Sequence, residues 1–350
     1  MRLLLRRLAT AVVVLLCAGT VLTPARASAA EAACQDLHIP VSLVDVPLLG
    51  IMDQTMYGRL CVPPGGSRTL QVLVPGGTYS SAYYDPPGLP ETRSFRRAVN
   101  NAGYATLALD RVGSGRSSKP LSQLLTATTQ ANAVHHAIQA MRTGAVGPRF
   151  DKIVLVGHSL GSATAIIEAA TFRDVAGVVI TGFTHRAAPL TVLPTLAALS
   201  PAVLDERMSE VVGLDAGYLT TLQGMRYTAF HSPGPFDQQV IDADEASKDL
   251  IAAGEIVDAV VIALVLPYSR RITVPVLVAM GERDNVFCGP LASDCSSAES
   301  LRQGEAGYYS PEARLRTFVV PGYGHSINFA PGAPLLHNAV TSWTNEMVGR

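Results

Sequence analysis

Along the chain, short apolar runs rich in β-branched residues alternate with stretches whose apolar residues recur at helical spacing. His38 to Val46 and Gln54 to Val62 read as an opening antiparallel pair of strands. Thr69 to Val74 is a buried strand that stops at Pro75-Gly76-Gly77, where the glycines open a loop. Tyr104 to Asp110, Lys152 to Val156, Val175 to Ile180, Val274 to Ala279 and Leu315 to Val320 continue the strand series. Ser94 to Asn101, Thr126 to Arg142, Ser162 to Thr171 and Pro334 to Met347 have helical patterns. Strands that alternate with helices predict an α/β protein, with a mostly parallel sheet covered on both faces.

One interval breaks this rhythm. Residues 186–271 contain no clear strand and carry apolar helical stretches at Leu190 to Leu199 and Ile251 to Leu266. An insertion of this length between two strands reads as a helical cap over the sheet edge. The division is therefore a core of residues 30–185 and 272–350, with a cap at 186–271. Residues 1–29 read differently: a basic start, an apolar run from Leu8 to Leu22, then small residues around Ala27 and Ala29. That order is a cleavable export signal. The apolar run falls short of the ~20 residues of a membrane span, so no stable membrane anchor is expected.

Composition narrows the function. The chain has 350 residues, 48% of them hydrophobic and 16% charged, which suits a globular protein with a sizeable core. Its formal net charge is −1, and losing Arg2, Arg6, Arg7 and Arg26 with the signal leaves 23 basic residues against 28 acidic ones. No basic cluster follows residue 30, so a nucleic-acid partner is not expected. Without Cys17 the cysteines are Cys34, Cys61, Cys288 and Cys295, an even set that reads as disulfides in an exported chain. Cys34 and Cys61 flank the first two strands, and Cys288 and Cys295 share a loop, which gives that pairing. The spacings do not suit zinc, and no histidine stands beside either pair, so no metal is expected.

The sharpest chemical signal is Gly157-His158-Ser159-Leu160-Gly161, entered by a strand and left by a small-residue helix. A tight strand-to-helix turn exposes the Ser159 hydroxyl, and the flanking glycines let strand and helix approach closely. The Leu160 N–H at the helix start, with the Gly77 N–H on the loop after the first buried strand, can hold an oxyanion. A serine nucleophile needs a base, and His325 follows a late strand. The base needs an acid, and both Glu282 and Asp284 follow the strand Val274 to Ala279. Asp284 stands further out and is the preferred partner. His135, His136, His38, His231 and His337 read as packing or surface residues, His158 as part of the turn, and His185 as a candidate for the pocket wall. The turn from Asp110 to Ser117 reads as structural, because it lacks the lysine of a phosphate loop.

Together these residues resemble the α/β-hydrolase superfamily, through Gly157 to Gly161, Asp110-Arg111-x-Gly-x-Gly, Gly281-x-x-Asp284 and Gly324-His325. Within it the chain looks like secreted actinobacterial serine hydrolases of esterase or lipase type. The resemblance implies an eight-stranded sheet, a serine nucleophile and no cofactor. It departs from many relatives where Pro75-Gly76 replaces a His-Gly pair. The expected function is hydrolysis of a small hydrophobic carboxylic ester through Ser159, His325 and Asp284 and an acyl-enzyme. The alternatives are an acyltransferase, thioesterase or lactonase of a natural-product pathway, and a catalytically silent binding protein.

Overall fold

The computed structural model describes residues 31–45, 52–266 and 268–350. The expected signal at 1–29 lies outside these residues. The main sheet opens with β1 (Ala33–Ser42) and β2 (Asp53–Val62), an antiparallel pair whose register sets Cys34 opposite Cys61. Those two cysteines form a disulfide. Next come β3 (Thr69–Val74), β4 (Ala105–Leu109), β5 (Lys152–His158) and β6 (Gly177–Thr181). Between β6 and the next core strand lie three short strands, β7 (Leu199–Pro201), β8 (Tyr218–Thr221) and β9 (Ile251–Ala252). Finally β10 (Val276–Gly281) and β11 (Arg316–Val320) complete an 8-stranded sheet of order β1-β2-β4-β3-β5-β6-β10-β11. From β4 to β11 every pairing is parallel, and β2 is antiparallel to both of its neighbours.

The inner strands are apolar at nearly every position because both sheet faces are covered. Leu70, Val72, Ile153, Leu155, Val178 and Ile180 face one core, whereas Leu73, Val154, Val156 and Val179 face the other. The first core is closed by α2 (Ala127–Thr143) and α3 (Leu160–Phe172), the second by α1 (Phe95–Asn101) and α9 (Ala333–Met347). Helix α2 starts at a reciprocal cap between Thr126 and Thr129 and ends at left-handed Gly144. Helix α3 is buried along every residue from Leu160 to Ala170, as expected of a helix with small and apolar residues all round.

Segment 186–271 holds α4 (Pro189–Ala197), α5 (Glu206–Val212), α6 (Gln238–Ala246) and α7 (Ala253–Asp258), with π-helical turns at Tyr227–His231 and Ala259–Val265. It also holds β7, β8 and β9 as a 3-stranded antiparallel sheet, where the sequence reading finds no strand. These strands are two to four residues long, too short to show the alternation that marks a strand. The segment is fastened to the core by a buried ion pair between Arg111, in the turn after β4, and Glu255 of α7. Arg111 also donates to the Leu250 carbonyl at 3.0 Å. Helix α8 (Ala298–Glu305) lies between β10 and β11. Among the described residues no helix is long and apolar enough to cross a membrane.

Candidate active site

Parallel strands bring their carboxyl ends to one edge, where the loops of an open α/β sheet build ligand sites. The loops after β3, β5, β6, β10 and β11 meet there. Ser159 closes β5 and caps α3 with φ 52° and ψ −118°, a conformation that costs a non-glycine residue energy and persists only where packing enforces it. The enforcement is visible. A Cβ on Gly157 would lie 2.4 Å from the Gly161 carbonyl oxygen, and one on Gly161 would lie 2.2 Å from that of Val74. Only glycine lets β5, α3 and the end of β3 come this close.

The remaining expected residues fall as follows. Asp284, fully buried, accepts from His325 Nδ1 at 2.8 Å through Oδ2. Its Oδ1 accepts the Val286 and Phe287 N–H groups at 2.8 and 3.1 Å, which fixes the carboxylate. Because Nδ1 donates to that carboxylate, Nε2 of neutral His325 is left as the acceptor. Glu282, the other carboxylate on this loop, instead accepts the Gly322 N–H at 2.6 Å. The two loops touch, since a Cβ on Gly281 would lie 2.1 Å from the Gly324 carbonyl oxygen. The His325 ring is 5.0 Å from that of His158, beside Ser159. Ser159 Oγ makes no hydrogen bond among the described residues; such contacts often tighten only when substrate binds. Cys288 and Cys295 form a disulfide within the loop that carries Asp284.

A cavity of about 140 Å³ opens onto Ser159. Gly77, Thr78 and Leu160 line it beside the serine. Among the described residues neither the Gly77 nor the Leu160 N–H makes a hydrogen bond. Phe183, Val286 and Phe287 form the core side of the wall, and Val192, Leu196, Phe230, Ile256 and Val260 come from segment 186–271. The lining is almost wholly apolar. Both π-helical turns contribute, through Phe230 and through Ala259 and Val260, a placement common at functional sites.

His158 is fully buried, stacked on Tyr83 at 4.2 Å, with Nδ1 3.2 Å from Thr181 Oγ1. Burial, reinforced by the neighbouring His325, pushes its pKa well below the usual range, so it is a neutral packing ring. His185 does not line the cavity. It sits between Glu305 (Nδ1 to Oε2, 2.6 Å) and Ser269 (Nε2 to Oγ, 2.8 Å). This repeats a serine–histidine–carboxylate chain, but Ser269 is fully buried and donates to the Tyr308 carbonyl at 2.7 Å. A hydroxyl so held, with no route for a substrate, is structural.

Sequence reasoning missed a polar network behind the site. Arg226 pairs with Asp244 at 2.8 Å, and Asp244 accepts from His231 Nε2 at 2.7 Å. His231 Nδ1 meets the Tyr323 hydroxyl at 2.8 Å, and the Tyr79 hydroxyl meets Ser326 Oγ at 2.7 Å. Arg226 also reaches Thr78 Oγ1 at 3.1 Å, and Thr78 has a left-handed φ of 59°. Burial alone would raise the Asp244 pKa, but the Arg226 guanidinium and His231 hold it down at about 2. No motif marks these residues, because they come from segment 186–271 and from two separate loops.

Comparison with known proteins agrees with this architecture. A family model described as the alpha/beta hydrolase family matches residues 71–336, well over half of the chain. No curated protein is detectably similar in sequence. A thermophilic esterase from Thermogutta terrifontis is similar at 16% identity over 89% of this chain and 98% of its own, with a TM-score of 0.60. A monoacylglycerol lipase of Paleococcus ferrophilus is similar at 19% identity over 91% of this chain and 100% of its own, with a TM-score of 0.55. Est1E from Butyrivibrio proteoclasticus, with ferulic acid bound, is similar at 16% identity over 85% of this chain and 97% of its own, with a TM-score of 0.51. At these identities the likeness is one of fold.

Proposed function

The chain belongs to the alpha/beta hydrolase family, and from that premise we propose that it is an exported serine hydrolase of carboxylic esters. The observation that supports this reading is a strained Ser159 on the cavity wall, adjacent in the chain to His158, whose ring lies 5.0 Å from that of His325, together with the bond His325 donates to buried Asp284. His325 Nε2 takes the Ser159 proton as Oγ attacks the acyl carbon. The Gly77 and Leu160 N–H groups hold the oxyanion in a dry pocket, where such bonds count for more than in water. His325 then protonates the departing alkoxide, and water repeats the sequence on the acyl-enzyme. Asp284 keeps the imidazole in the useful tautomer and stabilises its cation.

The apolar wall supports a hydrophobic acyl group as the occupant. Cavities of ~150 Å³ admit a benzene ring, so the pocket suits a chain of roughly six carbons better than a long fatty acid. Segment 186–271 acts as a cap, because it supplies more than half of the residues that line the cavity. Two disulfides, with residues 1–29 read as an export signal, support action in an oxidising compartment.

The test is initial rates on p-nitrophenyl esters of graded acyl length, with Ser159→Ala as background. We expect turnover with an optimum near the six-carbon acyl chain and a loss of at least ~10⁴-fold in the variant. Turnover that survives in Ser159→Ala would overturn the assignment. If neither protein cleaves any of these esters, labelling by a fluorophosphonate separates a serine hydrolase of cyclic or bulky esters from a silent binding fold.

A further inference from the structure

Helices α2 and α3 pack side by side, and a cluster between them takes no part in the chemistry above. Glu168 lies on α3, roughly 13 Å along the helix axis from Ser159. It is 0% exposed, yet neither carboxylate oxygen has a hydrogen-bond partner among the described residues. A buried carboxylate left this way is costly unless it holds a proton or gains a cationic partner.

His135 of α2 and Asp174, two residues past α3, close around it. His135 Nδ1 lies 3.8 Å from Glu168 Oε1 and 2.9 Å from Asp174 Oδ2. Neither contact has the alignment of a hydrogen bond, so Nδ1, like Asp174 Oδ1, lacks a hydrogen-bond partner among the described residues. One ligand atom from each of the three residues lies within 4.8 Å of the other two, the sole such group among the described residues. Bonds of ~2.0–2.2 Å to a shared tetrahedral ion would set its ligand atoms roughly 3.3 Å apart. The two contacts lie on either side of that value.

The surroundings hold the ligands in place. The His135 ring stacks on Phe172 at 3.8 Å with the planes 11° apart. Gln139 donates to Asp174 Oδ2, and Arg142 donates to the Asp174 carbonyl at 3.1 Å. The His135 and Asp174 side chains are 21% and 15% exposed, so water can reach a remaining coordination position. We propose that His135, Glu168 and Asp174 bind a divalent transition-metal ion that fastens α2, α3 and the entry to β6. One imidazole and two carboxylates suit Zn²⁺ or Mn²⁺, whereas Ca²⁺ and Mg²⁺ take all-oxygen sets. The sequence reading expects no metal and treats His135 as a packing or surface residue. Asp174 comes to His135 and Glu168 only through the packing of α2 on α3.

The test uses the whole chain, stripped with a chelator and then freed of it. Calorimetric titration with ZnCl₂, and separately MnCl₂, should show one ion per chain for at least one metal. Glu168→Gln and Asp174→Asn should each weaken that binding by ~10-fold or more. CoCl₂ should give a visible absorption band that His135→Gln shifts or abolishes, a change that altered packing alone would not produce. If Glu168→Gln does not fold, Asp174→Asn, at a partly exposed position, carries the comparison. No binding to the unmodified chain at millimolar metal overturns the proposal, as does undiminished binding in the variants. Neither result depends on ester hydrolysis.

Discussion

At the scale of single residues, the site depends on places where a side chain is absent. Gly161 is the clearest. A methyl there would meet the Val74 and Pro75 carbonyl oxygens at 2.2 and 2.6 Å, and main-chain atoms cannot swing aside. Gly161→Ala should cost more than ~3 kcal/mol and reduce turnover, because α3 must move away from β3 and carry Ser159 with it. Gly304, inside α8, is the control, since a Cβ there meets nothing within 4 Å. Gly304→Ala should be neutral or stabilise by ~0.5–1 kcal/mol. Urea denaturation of both variants checks the contrast. Where an isolated glycine and a packed one look alike in the sequence, only the neighbours distinguish them.

At the scale of elements, segment 186–271 is joined to the core by buried charge as well as by apolar packing. Asp244 of α6 neutralises Arg226, which in turn bonds Thr78 on the loop that carries Gly77. Asp244→Asn leaves a buried guanidinium without its counter-charge, which typically costs about 3–5 kcal/mol. The same change loosens the Thr78 anchor, so turnover should fall by more than substrate binding does. Comparing denaturation midpoints with kcat and KM separates the two effects. A variant as stable and as active as the parent chain would remove this network from the account. In the main sheet, β1 opens at Ala33 rather than at the expected His38, because its first residues are polar and largely exposed. The other seven core strands were legible in the sequence because each carries an apolar run. β7, β8 and β9 were not, because their two to four residues carry no periodicity of their own.

At the scale of the whole molecule, two buried histidines make the fold sensitive to acid. Burial, with the Arg93 guanidinium nearby, lowers the His337 pKa to about 4. Its Nε2–H donates to Asn328 Oδ1 at 2.7 Å, a bond that needs no charge on the ring. The unfolded chain protonates this residue near pH 6.5 and the folded one only near 4. Stability from this group is therefore complete above about pH 6.5 and is lost as the pH falls towards 4, by about 3 kcal/mol. His158 adds to the loss in the same direction. Equilibrium unfolding at stepped pH should show this acid limb, and His337→Gln should flatten part of it. An unchanged slope in the variant would exclude His337 as a source.

By itself the sequence determined the fold class, most strands of the main sheet and the short list of candidate residues. Apolar periodicity, glycine spacing and the order of Ser159, Asp284 and His325 are local properties, readable one stretch at a time. The tertiary structure alone decided which candidates meet. Glu282 and Asp284 stand two positions apart on one loop, and the fold turns the first to the Gly322 N–H and the second to His325. His185 ends near a strand edge like a pocket residue, and the fold seals it between Glu305 and Ser269. His135, Glu168 and Asp174 carry no shared motif, and the packing of α2 on α3 gathers them. The physical reason is the same in each case. Proximity across loops and helices depends on how elements pack, and packing is a relation between distant stretches that no single stretch encodes.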